Sequence, residues 1–103
     1  MGIRIWLDDL REPTYDGWTW IKDSATAIEF LSALKENNSQ YEIISFDHDL
    51  GGDDTSRSVM NWIIENEFFP THEVFIHTAN PIGKSWLQGT AQRYMPEHVV
   101  VRI

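Results

Sequence analysis

The chain has 103 residues, a length that suits one compact domain, and with 42% hydrophobic and 23% charged residues it can form a core and is not globally disordered. Its formal net charge is −8 against only eight Lys and Arg, none in a run, which argues against duplex DNA as a partner. No apolar run is long enough to span a bilayer, and the absence of cysteine excludes disulfides, thiol chemistry and cysteine zinc sites, so the expected compartment is cytoplasmic.

Residues 3–7, IRIWL, form a short apolar run cut off by Asp8 and Asp9, the pattern of a strand entering a loop at its C-terminal end. The next segment, LREPTYDG, combines Pro, Asp and Gly and does not form a stable helix. Trp18 to Lys22 form a second short strand. Residues 23–38 then predict a helix, with Asp23 or Ser24 as N-cap and Ile28, Leu31 and Leu34 at helical spacing. Residues 41–46, YEIISF, are the most strand-like stretch and lead into DHDLGG. Residues 56–68 predict a helix with Val59, Trp62 and Ile63 on one face, closed off by Pro70. VFIHTAN, residues 74–80, is another apolar run ending in polar groups. Residues 81–95 predict a helix opened by Pro81, with Leu87, Ala91 and Met95 on a stripe, and VVVRI is a terminal strand.

The resulting order, β-β-α-β-α-β-α-β, argues for an α/β layer on a mainly parallel sheet. In such sheets the ligand crevice lies beyond the C-terminal strand edges. Three strands end in polar clusters: Asp8-Asp9, Asp47-His48-Asp49, and His77-Thr78-Ala79-Asn80. If these strands are parallel neighbours, all three clusters converge on one rim.

Carboxylates gathered at one rim need a cation or raised pKa values, and an all-oxygen set suits Mg²⁺ or Mn²⁺. Asp8, Asp9 and Asp47 are the expected ligands, with Asp49 tuning either the metal or His48. The competing reading is that acids at strand ends only meet water or cap the next helix. DHDLGG does not read as an EF-hand loop, because Gly51 and Ser58 stand where an oxygen ligand and a Glu are needed. His48 and His77, at two strand ends, are candidates for general acid and base on a phosphodiester, although a lone histidine there usually bonds only to backbone. Arg11, Thr78 and Asn80 are candidate phosphate donors. Their plainer roles are a salt bridge for Arg11 and an N-cap for Asn80. Trp62 and Trp86 are expected in the core, and Trp18 either fills the place of a missing helix or edges the pocket.

WLDDLREP, SFDHDLG and IHTANPIG together resemble the cyclic-phosphate processing receiver-like family, a relative of the response-regulator receiver domain. The resemblance implies a receiver-like, flavodoxin-like three-layer sandwich over residues 1–103. Its five-stranded parallel sheet would run 2-1-3-4-5, with the first helix replaced by a loop. It implies that Asp8 and Asp9 match the metal-binding acid pair, Asp47 the phosphoacceptor aspartate and Thr78 the switch threonine. No lysine ends the last strand, where Arg102 is the only basic residue. The implied activity is a metal-dependent phosphodiesterase-like reaction on cyclic phosphates of nucleotides or RNA ends. Asp47, His48 and His77 would be its catalytic groups. A phospho-accepting receiver and a non-catalytic nucleotide- or protein-binding module are the rival readings.

Overall fold

The structure, a computed structural model, describes residues 2–103. In chain order its elements are β1 (Arg4–Leu7), β2 (Trp18–Ile21), α1 (Ser24–Glu36), β3 (Ile43–Phe46), α2 (Arg57–Glu65), β4 (Glu73–Ile76), α3 (Pro81–Tyr94) and β5 (Val100–Arg102). All five strands pair in parallel in one sheet of order β2-β1-β3-β4-β5. The receiver-like order and the loop in place of a first helix are therefore as the sequence implies.

Local chemistry sets the helix ends. The Asp23 carboxylate accepts the Thr26 N–H at 2.7 Å and caps α1, while Asn38, at a φ of 55°, turns the chain out of it. Asn80 caps α3 by accepting the N–H groups of Ile82 and Gly83, both at 3.1 Å, with Pro81 in the first turn.

Handedness decides where the helices go. Each of the connections carrying α1, α2 and α3 steps across the sheet in the same direction, so right-handed crossovers place all three helices on one face. Ile5, Leu7, Ile21, Ile44, Phe46, Val74 and Ile76 point to that face, are buried, and meet Ala27, Leu31, Val59, Met60, Ile63, Leu87 and Ala91 from the helices. The step from β1 to β2 runs the other way, and it is made by the loop of residues 8–17. Among the described residues no helix covers the second face, so the sheet and its helices make two layers where three were expected. Trp6, Trp18, Trp20 and Phe75 lie half-buried on that second face. Trp18 packs edge-on against Trp6 with ring centres 5.5 Å apart, filling part of the missing helix's place. The indole N–H groups of Trp6 and Trp20 donate to the Arg11 and Asp8 carbonyls, both at 2.7 Å, and tie the loop down over the sheet. On α2 the buried residues are Val59, Met60 and Ile63. Trp62 and Trp86 are only half-buried.

Candidate functional site

The sheet ladder runs one residue past three strands. The Asp8 N–H donates to the Ile21 carbonyl at 3.1 Å, Asp47 to Leu7 at 2.9 Å and His77 to Phe46 at 2.9 Å. Residues 8, 47 and 77 thus stand side by side on neighbouring strands, and side-chain alternation turns all three toward the helix-free face. His48 and Thr78, one residue on, turn the other way. The three clusters do converge on one rim, around a cleft of about 530 Å³ lined by Asp8, Asp9, Arg11, Asp47, Asp49, Thr78, Asn80 and the Gly51-Gly52 turn.

Carboxylate oxygens of Asp8, Asp9 and Asp47 all lie within 4.8 Å of one another. Asp8 is fully buried and densely bonded. Its Oδ1 accepts the N–H groups of Leu10 at 2.9 Å and Arg11 at 2.8 Å; its Oδ2 accepts Arg11 Nε at 3.2 Å and His77 Nε2 at 2.9 Å. Burial pushes this carboxyl up, but the Arg11 and Leu10 N–H groups and His77 outweigh it and hold the pKa below the usual value. Asp47 goes the other way: burial and the charge of Asp8 raise it, against the partial relief of Thr78, Arg11 and His77. Arg11 Nη2 lies 3.7 Å from Asp47 Oδ1, so the guanidinium spans the buried Asp8 and the half-buried Asp47. Gly51 sits at a φ of +93°, which favours glycine, and a Cβ there would also stand a tight 3.1 Å from Asp9 Oδ2.

Neither histidine lines the cleft. His77 stacks on Trp6, with ring centres 4.0 Å apart and an interplanar angle of 8°. Burial lowers its pKa despite the raising effect of Asp8, so the ring is neutral: Nε2–H donates to Asp8, and Nδ1 accepts from the Ser45 hydroxyl at 2.7 Å. His48 is buried on the helix side. Arg57 Nε can only donate, and it meets His48 Nε2 at 2.9 Å. The ring proton must therefore sit on Nδ1, 3.0 Å from Asp49 Oδ1. Asp49 in turn accepts the Asn80 amide on Oδ2 at 2.9 Å, and Asn80 and His48, in that order, lower its pKa. Asp49 is thus outside the cluster formed by the other three acids.

Asn80 combines two tasks. Its carbonyl oxygen takes the first-turn N–H groups of α3, which are then not free for an anion, and its amide faces Asp49. Arg102 does not reach the cleft; its Nε donates to Glu73 Oε2 at 2.9 Å on the helix-free face. Ser45 and Arg57 are the partners that spacing did not single out. Ser45 lies two residues before Asp47, on the same side of the strand, so parity was the available signal. Arg57 carries none, because it reaches His48 from a separate helix and stacks over Trp86 at 4.8 Å.

The sheet order and the acid-lined rim define a receiver-like domain whose cleft fits a hard divalent ion: three oxygen donors, one of them a carboxyl that burial has raised. The model of the cyclic-phosphate processing receiver domain matches residues 3–93, and the chain belongs to that family. No curated protein and no solved structure matches the chain. No helix among the described residues is long and apolar enough to cross a membrane.

Proposed function

We propose that the chain is a metal-dependent phosphodiesterase of cyclic phosphates carried by nucleotides or RNA ends. The observation that carries this reading is the meeting of three carboxylates with one guanidinium at the strand-end cleft. Asp8, Asp9 and Asp47 would hold Mg²⁺ or Mn²⁺. The bound ion supplies Lewis-acid polarisation of a phosphoryl oxygen. Arg11 is the one cationic side chain lining the cleft, and its planar fork suits two phosphate oxygens. The second amide proton of Asn80, the first being given to Asp49, and the Thr78 hydroxyl, when it turns from Asp47 to the phosphate, would complete the donor set.

The two histidines act through carboxylates. A direct acid or base needs a ring nitrogen facing the substrate, and all four nitrogens are engaged by protein groups. His77 fixes the rotamer of Asp8, and His48 that of Asp49, which holds the Asn80 amide in place. A phospho-accepting receiver is less well supported, because the last strand's only cation is paired with Glu73 away from Asp47.

The test is incubation with 2′,3′- and 3′,5′-cyclic nucleotides under Mg²⁺, Mn²⁺ or chelator. Ring opening to a monophosphate is expected with metal, absent with chelator, and lost in Asp47→Asn. No product with any metal, or equal product under chelator, overturns the proposal for these substrates.

A further inference from the structure

The acceptor inventory of Asp8 leaves no room for a metal. An ionised carboxylate offers about four lone-pair positions. Here Oδ1 holds two backbone N–H groups, and Oδ2 holds His77 Nε2 and Arg11 Nε. One of these donors has to leave before Asp8 can ligate an ion. The two backbone donors belong to the turn that starts the 8–17 loop and cannot move without unwinding it. His77 is held at both nitrogens, stacks on Trp6, and has a side chain only 8% exposed. Arg11 is the donor that can yield. Its side chain is 54% exposed, its Nε contact is the longest of the four at 3.2 Å, and its contact with Asp47 is a loose 3.7 Å.

We propose that Arg11 and a divalent ion exchange at Asp8, so that metal binding releases the guanidinium toward the substrate phosphate. The inference rests on the metal-site reading above and adds a coupling to it. Arg11 Nη2 also donates to the His77 carbonyl at 3.3 Å, on the strand end beside the cleft. That contact uses no carboxylate, so it can persist as a pivot while Nε swings free. The exchange also answers an electrostatic difficulty. Three carboxylates against one guanidinium repel a phosphodiester; with a divalent ion on the acids, the freed guanidinium becomes the nearest unpaired cation. Metal and phosphate then favour each other's binding, and coupling of this kind is commonly about tenfold or more.

The experiment uses the full chain, uniformly labelled with ¹⁵N, and Mg²⁺ alone as titrant. The Arg11 Nε–H resonance is assigned by its loss in Arg11→Lys. On addition of Mg²⁺ it should lose its hydrogen-bonded shift and its protection from exchange. The Leu10 and Arg11 backbone amides and the His77 Nε2–H should keep theirs. By calorimetry, Arg11→Gln should bind Mg²⁺ about tenfold more tightly than the wild type, and inorganic phosphate should tighten Mg²⁺ binding only in the wild type. Mg²⁺ binding with the Arg11 Nε–H bond intact, or no gain in Arg11→Gln, overturns the exchange and leaves the metal site standing. No binding of Mg²⁺ or Mn²⁺ to the wild type overturns both.

Discussion

Burial at the rim holds the Asp47 carboxyl above its usual pKa, and the charge of Asp8 pushes the same way, so the native state carries an anion it does not favour. The pH dependence follows from the direction of that shift. Below the unfolded pKa of about 4 the carboxyl is neutral in both states and costs nothing. As pH rises through the higher folded value, the folded state must ionise it, and that share of stability is lost. Asn at this position keeps the shape and never titrates. Without divalent metal at pH 7, Asp47→Asn should therefore be more stable than the wild type, by roughly 0.5–2 kcal/mol, with the gain gone at pH 3. Urea midpoints at the two pH values measure it. An equal gain at both would show that charge is not the cause. Asp8, at the end of the neighbouring strand, presents the opposite case: its backbone donors hold its pKa down, so its ionised form favours the fold.

Two glycines on α3 separate helix propensity from site packing. Alanine is preferred over glycine in a helix by about 1 kcal/mol. At Gly89 a Cβ meets nothing within 4 Å, so Gly89→Ala should stabilise by roughly 0.5–1 kcal/mol. At Gly83 a Cβ would run into the His48 ring, and Gly83→Ala should destabilise by about 1–3 kcal/mol despite the same propensity gain. Opposite shifts of the denaturant midpoint are the expected result; a gain at both sites would mean that His48 repacks freely. The elements themselves were legible because apolar β-branched runs stop abruptly at acids, His-Thr or Pro. The side chains facing each other across elements were less so. On α2, Met60 and Trp62 each lie about 80° from the centre of the Val59–Ile63 stripe at 100° per residue, so spacing does not choose between them, and the fold buries Met60. The convergence of Asp8, Asp9 and Asp47 could be read from strand ends. That His77 faces Asp8 rather than the cleft depends on Trp6 and Ser45, which lie on two other strands. The third layer was carried over from the receiver resemblance, whereas crossover direction sends α1, α2 and α3 to a single face.

Across the whole molecule the formal net charge is −8, and three of the acids cluster at the rim, so cations should act on stability in two separable ways. Any salt screens the general self-repulsion, with a Debye length of roughly 8 Å at physiological ionic strength. Only an ion that ligates the cluster adds a binding term, because the unfolded chain does not hold Asp8, Asp9 and Asp47 together. That term is about 2.7 kcal/mol when the ion stands at one hundred times its Kd, or roughly 10–20 °C in Tm for a domain of this size. Mg²⁺ should therefore raise Tm well beyond NaCl at equal ionic strength. Asp47→Asn lacks one of the three ligands and should respond almost equally to the two salts. The two proteins should then change rank: the variant melts higher in chelator, and the wild type melts higher in saturating Mg²⁺. Scanning calorimetry in both conditions decides the matter. If the rank is unchanged, the cluster's raised carboxyl is a structural burden of the rim with no metal to relieve it.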